Sequence, residues 1–356
     1  MRFTRLCGAA GAGALAALAL AGPAAAHGAD APNGTNYRTS VTAVEPATPG
    51  LSVRAIEAGG RLELTNRTGR TIEVLGYEGE PYLEVRADGV YENVHSPAVY
   101  LNASLGGGTE PPATADPASP PQWRRASSSP VARWHDHRTQ WMSRTPPPAV
   151  AADPGREHRI RDWMVPLRDG TSTMEVHGAL DWLPPPAPAP WWAAVVLGAA
   201  GVAALGALPV SSRVATIALA AVAMAVGVAA VGFAVARELD AGAAGPGEVL
   251  RGLLLGQVWP VLTGVAVVAA GVIALAGRPA ADFALALAGA CVGLFAGVTN
   301  AVVFARSVAP VPWPPVAARL AVAVVIAGAA GVALAGVLRM RSTGRDARTA
   351  AAATRP

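Results

Sequence analysis

A His-Asp-His triplet, His135, Asp136 and His137, is the feature of this sequence with the clearest capacity for chemistry. Residues two apart on a β-strand share a face, so a strand here would project both imidazoles to one side. Two imidazoles, completed by a third ligand, suit a copper or zinc ion. Trp134 and Trp141 would shield such a site from water. The alternative is a solvated polar strand anchored by these tryptophans, and a His-x-His pair alone does not separate the two interpretations.

The third ligand is predicted to be His27. Residues 1–26 combine two arginines, a short apolar stretch and an Ala-x-Ala cleavage site, which is typical of a secretory signal peptide. Cleavage would leave His27 as the new N-terminus, whose α-amine and ring nitrogen can together hold one copper ion. The sequence therefore predicts a metal site at His27, His135 and His137, with copper as the metal.

In this arrangement the chain resembles the periplasmic CopC-type copper-binding proteins, small β-sandwiches that begin with histidine after leader removal. The resemblance rests on His27, Asp136, His137 and the general layout, and a following helical membrane part is similar to the CopC–CopD arrangement. It implies copper handling outside the cytoplasm. Asp136 and His137 are adjacent where the family spaces its pair by one residue, and a Met-rich copper(I) patch is absent. The layout also resembles uncharacterised actinobacterial membrane proteins, a likeness that implies no activity.

An exported domain at residues 27–183 is predicted to position these groups. Between Leu51 and Asn102, short segments alternate apolar and polar residues and are separated by turn sequences such as Asp88-Gly89, which is typical of antiparallel strands. The Gly-, Pro- and Ser-rich segment 106–130 is predicted to be a loop. Further strands are expected at 131–142, 156–167 and 172–183. The pattern predicts an all-β domain, an immunoglobulin-like antiparallel sandwich of seven or eight strands.

Five apolar segments follow a Pro-rich linker at 184–190. Each is close to the ~20 residues that cross the hydrocarbon core of a bilayer. Backbone polar groups must be satisfied internally in lipid, so the segments must be helices. The sequence predicts a five-helix transmembrane bundle over 191–338, with the lipid bilayer as its partner. The apolar segments lie at about 191–210, 213–236, 252–276, 282–305 and 317–338.

The distribution of charge predicts the orientation in the membrane. All six histidines precede the first apolar segment, and the tail at 339–356 carries five arginines. Arg213 and Arg278 fall in the short loops that would lie on the same side as this tail. Because cytoplasmic loops are rich in arginine, we expect a multi-pass protein of a bacterial plasma membrane. Its N-terminal domain would be extracytoplasmic and its basic C-terminal tail cytoplasmic.

Composition excludes several classes of protein. The chain is 52% hydrophobic and only 15% charged, which is typical of a membrane protein. Its formal net charge of +4 comes from arginines concentrated after the exported domain, so the positive balance predicts no nucleic-acid partner. Cys7 lies in the leader and Cys291 in an apolar segment, which leaves the exported domain without a disulfide.

The functional prediction is a non-enzymatic, membrane-anchored binding or scaffold protein, with copper handling by His27, His135 and His137 as a second hypothesis within the same architecture. The sequence contains no nucleophile elbow, zinc-protease helix or phosphate loop. No acid or base lies clearly in the middle of a span, which argues against an ion-coupled transporter. Gly289, Gly293 and Gly297 form a double GxxxG pattern that predicts close helix packing. The alternative is a permease using Gln257 and Asn300, or a membrane-subunit partner of a transport complex.

Overall fold

The computed structural model describes residues 34–353, and their side chains as far as residue 344. The predicted signal peptide and His27 lie outside these residues. The strands are β1 Tyr37–Glu45, β2 Leu51–Ile56, β3 Arg61–Asn66, β4 Ile72–Leu75, β5 Pro81–Arg86, β6 Gly89–Asn93, β7 Trp123–Ser127, β8 Val131–Trp134, β9 His158–Asp169 and β10 Ser172–Trp182. The α-helices are α1 Pro97–Leu101, α2 Pro148–Ala152, α3 Ala189–Ala204, α4 Arg213–Asp240, α5 Pro246–Leu255, α6 Val258–Leu275, α7 Ala281–Val292 and α8 Pro315–Ala353.

The strands form two antiparallel sheets, which confirms the predicted all-β class. The larger sheet has the order β1-β10-β9-β4-β5-β6-β7 and the smaller sheet the order β2-β3-β8. Leu62 and Leu64 of β3 pack with Val165 and Leu167 of β9 in one apolar core. The alternation seen in the sequence produces this core, because successive side chains of a strand point to opposite faces. The hairpin across Asp88-Gly89 is present as β5 and β6.

Three strand predictions need correction. β1 has no counterpart among the predicted strands, and β7 lies within the segment 106–130 that was expected to be a loop. Both are edge strands of the larger sheet, and each pairs along one side only. The strand expected at 131–142 ends at Trp134, which changes the geometry of the histidine triplet.

Among the residues that the structure describes, five helical segments are long and apolar enough to cross a membrane, as predicted. We call them the first to fifth spans in chain order. The last helix continues without a break through Ala353, so the predicted tail begins as an extension of the fifth span. The spans are Ala189–Ala207, Arg213–Asp240, Val258–Leu275, Ala281–Ala305 and Pro315–Gly344.

The fourth span changes its helical geometry. α7 ends at Val292, a π-helical turn occupies Gly293–Gly297, and a 3-10 stretch continues over Val298–Ala305. A Cβ on Gly289 would lie 2.9 Å from the Ala329 carbonyl oxygen of the fifth span. This close approach is the packing that the GxxxG pattern predicts.

The sheet domain is hydrogen-bonded to one end of the bundle. Thr35 and Val308, which precedes the fifth span, exchange backbone hydrogen bonds of 3.0 and 2.8 Å. The Ser307 backbone N–H donates to Asn36 Oδ1 at 3.0 Å. At the opposite end of the bundle, Arg339 of the fifth span pairs with Asp282 of the fourth at 2.8 Å. The sheet domain and the end of the fifth span therefore lie at opposite ends of the bundle.

Candidate functional site

The histidine triplet does not present its two imidazoles on one strand face. β8 ends at Trp134, and a 3-10 turn begins at His137. Asp136 caps this turn, because its carboxylate accepts a hydrogen bond of 3.1 Å from the Arg138 backbone N–H. Capping by a carboxylate competes with extension of a strand. The chain therefore turns at Asp136, and the two histidines enter different hydrogen-bonding networks.

His135 is buried, and both of its ring nitrogens have partners. Its Nδ1 lies 2.7 Å from the Gly60 carbonyl oxygen, and its Nε2 lies 3.1 Å from Arg61 Nε. A guanidinium can only donate, so Nε2 is the acceptor and the proton is on Nδ1. These partners assign His135 as the neutral Nδ1–H tautomer. Arg61 in turn contacts the Glu57 carboxylate at 3.3 Å.

The turn before β3 holds two residues in the left-handed region of φ. Glu57 has φ 55° and Ala58 has φ 54°, although neither is glycine. Such conformations cost on the order of 1–3 kcal/mol each and cluster at functional sites. One carboxylate oxygen of Glu57, Oε2, is buried without a hydrogen-bond partner among the described residues. Burial raises the pKa of the Glu57 carboxyl above its usual range, and the opposing effect of Arg61 is smaller.

This strained turn rests on the end of the second span. The Ala58 N–H donates to Asp240 Oδ2 at 2.8 Å. One helical turn earlier, Arg237 donates to Asn300 Oδ1 at 3.2 Å, and Asn300 also donates to the Ala296 carbonyl within its own distorted span. Polar side chains thus connect the sheet domain to the second and fourth spans. We call this group the junction cluster, and its members are Glu57, Ala58, Arg61, His135, Arg237, Asp240 and Asn300.

His137 lies in a separate group inside the sheet domain. Its ring stacks on Tyr77 with centroids 6.0 Å apart, and its backbone N–H donates to the Tyr77 hydroxyl at 3.0 Å. The same hydroxyl donates to Asn102 Oδ1. Gly107, at φ +65°, lies against the ring of His137, where a Cβ would be 2.4 Å from Cε1. Burial raises the pKa of Tyr77 to about 12, and the charge of Asp136 acts in the same direction.

Asp136 completes this second group through a buried ion pair. Its carboxylate is fully buried and accepts from Arg138 Nε and Nη2, both at 2.8 Å. Trp134 Nε1 donates to the same carboxylate at 3.0 Å. Arg138 also reaches the carbonyl oxygens of Leu75 and Gly76. Asp136 thus fixes the position of the loop that carries His137. We call Tyr77, Asn102, Asp136, His137 and Arg138 the Asp136 cluster.

The described residues do not form the predicted copper site around both histidines. Within residues 34–344, no three His, Cys, Asp or Glu side chains are placed to hold one metal ion. His135 would have to lose the hydrogen bond from Arg61 or the one to Gly60 before it could bind a metal. His137 has an unpartnered, buried Nε2 within the part of the chain that the structure describes. His27 lies outside that part, so copper binding stays a prediction.

Sequence reasoning missed most of the junction cluster. Glu57 and Asp240 are 183 positions apart, and no spacing rule connects them. One signal was available, because Arg237, Glu238 and Asp240 place three charges at the end of an apolar span. Charged groups at this depth are usually paired or functional.

The fold and the junction define a multi-pass membrane protein whose antiparallel sheet domain is docked on one end of a five-helix bundle. No family model, curated protein or solved structure matches the chain.

Proposed function

We propose that this protein is a membrane-anchored, extracytoplasmic binding or scaffold protein without enzymatic activity. The observation that carries this proposal is the docking of the sheet domain on the bundle through backbone hydrogen bonds and the junction cluster. A binding domain held in this way keeps a defined height and orientation above the bilayer. The polar side chains of the junction cluster are largely hydrogen-bonded to each other and to backbone atoms, so few of them are available to react with a substrate.

The proposed location is a bacterial plasma membrane with the sheet domain outside. The predicted signal peptide and the arginine-rich C-terminal segment support this orientation. Single cysteines at Ser128 and Thr343, both exposed, test it in a background with Cys7 and Cys291 replaced by alanine. A membrane-impermeant maleimide applied to intact cells should label Ser128→Cys and leave Thr343→Cys unlabelled until the cells are lysed. The reverse pattern would contradict the orientation.

Binding, as opposed to transport, is tested by reconstitution. We expect liposomes that contain the full chain to show no flux of protons, potassium or copper above that of empty liposomes. Flux that is abolished by Asn300→Ala and retained by Thr299→Ala would instead support the permease. Thr299 is the matched control, because it is exposed and donates only to its own helix at Phe295.

Copper handling is a more specific form of the proposal. It is supported by the predicted mature N-terminus at His27 and by the unpartnered Nε2 of His137. The purified chain with a verified His27 terminus should bind one Cu(II), and His27→Ala should abolish binding. His158→Ala is a control, because His158, the first residue of β9, contacts the Asp153 carbonyl oxygen of the preceding loop. Binding that survives His27→Ala would rule out this site and leave the scaffold proposal intact.

A partner-subunit role is favoured by one further observation. The first span exposes Val196 and Leu197 at 64% and 73%, and only Val195 of α3 is fully buried. This face meets either lipid or another helix. Co-purification of one defined membrane protein at equal stoichiometry, lost on Leu197→Arg, would support the partner-subunit role. Retention of that protein by the variant would contradict contact through this face.

A further inference from the structure

The loop after the second span is clamped against the small sheet. Arg133 of β8 donates to the Gly242 carbonyl oxygen, and Glu63 of β3 accepts from Arg133 Nε at 2.7 Å. Gly242 has φ +89°, and a Cβ there would lie 2.4 Å from Glu63 Oε2. Glycine is therefore required by both backbone conformation and space. The clamp holds the following residue pair, Ala243 and Ala244, between the sheet domain and α5.

An apolar groove lies on the bundle side of this loop. It is open, has a volume of about 500 Å³ and runs between Leu239 at the end of the second span and the apolar face of α5. α5 has ten residues, too few to cross a bilayer, and buries none of them. Leu250 and Leu254, one turn apart, are 57% and 60% exposed. A short amphipathic helix between two spans, with leucines on one side, is typical of a helix at the membrane surface.

A polar groove of about 390 Å³ lies on the other side of the loop. Arg54 and Arg67 line it, and Ala244 borders both grooves. Arg67 is exposed and forms no ion pair with the residues that the structure describes. The Arg54 side chain is 57% exposed although it contacts Glu63 at 2.7 Å.

The acids near this groove are already neutralised. The Glu63 carboxylate is buried and accepts from Arg54 and Arg133. Glu248 accepts from the Ala244 N–H at 3.0 Å and lies 3.8 Å from Arg133. Arg54 and Arg133 balance the charges of these two acids, so the net positive charge that the polar groove offers to a ligand is that of Arg67. The exposed guanidinium groups of Arg54 and Arg67 both remain donors for phosphate oxygens.

We infer that the two grooves form one site for an anionic phospholipid of the leaflet next to the sheet domain. The apolar groove takes an acyl chain, and Arg54 and Arg67 bind the headgroup phosphate across Ala244. Three observations support this occupant: the grooves share a wall, α5 lies where a bilayer surface would meet the bundle, and the two chemistries match the two ends of a phospholipid. The inference goes beyond the proposed function, and it requires only that the five spans cross a bilayer.

The test is native mass spectrometry of the purified full chain with added phosphatidylglycerol or phosphatidylcholine. We expect one retained phosphatidylglycerol per chain and weaker retention of phosphatidylcholine. An arginine near a membrane surface contributes roughly fivefold to the affinity for an anionic lipid, so Arg54→Gln with Arg67→Gln should weaken binding by about 5- to 30-fold. Ala244→Trp places a large side chain where the two grooves meet, so it should also displace the lipid. Arg144→Gln is the matched control, because Arg144 is exposed and lines neither groove.

Several outcomes would overturn the inference. Both lipids contain a phosphate and differ in the net charge of the headgroup, so equal retention of the two would contradict selection of an anionic phospholipid. If Ala244→Trp loses the lipid and the double arginine variant retains it, the apolar groove binds an acyl chain but the arginines do not recognise the headgroup. Full competition by millimolar glycerol phosphate would show that a soluble phosphate compound, and not a lipid, is the ligand. An equal loss in Arg144→Gln would show that general charge, and not this site, retains the lipid. The melting temperature of each variant, measured alongside, identifies any loss caused by unfolding.

Discussion

The junction cluster and the Asp136 cluster start from adjacent residues and differ in almost every physical respect. In the Asp136 cluster, a fully buried carboxylate accepts hydrogen bonds from Trp134 and Arg138, and all partners belong to the sheet domain. In the junction cluster, two residues have left-handed backbone and a Glu57 oxygen lacks a partner among the described residues. The first arrangement stabilises a domain. The second contains a strained turn and joins the sheet domain to the helical bundle. Such a connection is the property expected where binding in one part affects the other.

Asp136→Ala should have the largest effect on stability, and it should act through the Asp136 cluster. Removing one partner of a buried ion pair leaves an uncompensated charge, here that of Arg138, which is 19% exposed. We expect the free energy of unfolding of the sheet domain to fall by about 3 kcal/mol. Thermal unfolding of the full chain, followed by near-UV circular dichroism, measures this loss. Asp162→Ala is the control at a 79% exposed side chain and should change stability by less than about 0.5 kcal/mol. A loss no greater than the control would refute the stabilising role of Asp136.

Asp240→Ala should act locally at the junction. The Ala58 N–H loses its acceptor, and a buried donor without a partner costs about 1–3 kcal/mol. If the turn opens independently of the sheet domain, amide exchange in residues 57–61 should accelerate by roughly 5- to 150-fold. Hydrogen-exchange mass spectrometry of this peptide, compared with one from β9, measures the difference. Equal acceleration in both peptides would show that the junction and the sheet core open together.

Ala58→Gly should stabilise the folded protein, by less than Asp240→Ala destabilises the junction. Glycine adopts the left-handed region without the Cβ penalty, although it also increases the entropy of the unfolded chain. We expect the melting temperature to rise, with a net stabilisation of up to about 1 kcal/mol. Ala87→Gly, in the turn between β5 and β6, is the control, because Ala87 has no positive φ. A destabilised Ala58→Gly variant would mean that the left-handed backbone carries little strain.

The smallest expected effect is a dependence of stability on pH that comes from Glu57. Its folded-state pKa is raised above the ordinary value of 4.5, so the folded chain keeps this proton to a higher pH than the unfolded chain. Stability from this group is therefore present below about pH 4.5 and is lost as pH rises through the higher folded-state pKa. Melting temperatures between about pH 4 and 7 should fall less steeply for Glu57→Gln than for wild type. Glu78→Gln, at an exposed position, should keep the wild-type slope.

The types of secondary structure were largely predictable from the sequence, because strands and membrane-spanning helices each depend on a local pattern of residues. Alternation placed most of the strands, and apolar length placed all five spans. The third span was predicted to begin at 252, within α5, whereas the structure begins it at Val258. β1 and β7 were missed, since edge strands pair on one side and need less apolar patterning. The strand through His135 was predicted too long, because alternation alone does not reveal that the Asp136 carboxylate caps the next turn.

The candidate site was predictable only in part. His135 and His137 were predicted to be metal ligands, and metal binding stays a prediction. The structure places each histidine in a separate network of polar side chains. Their predicted common face was wrong, since it assumed a continuous strand. The partners of His135 come from a turn that precedes it by about 75 residues, and their positions depend on how the small sheet packs.

Local patterns in the sequence were sufficient to predict the β-rich region that precedes the spans, the number of spans and the distribution of arginine. These properties follow from periodicity, length and composition, which act within a few residues of chain. Only the assembled fold brings the Ala58 N–H to Asp240 and Arg237 to Asn300, and separates His135 from His137. These contacts depend on sheet register, helix packing and the direction of each side chain, which are established only when the whole core is assembled.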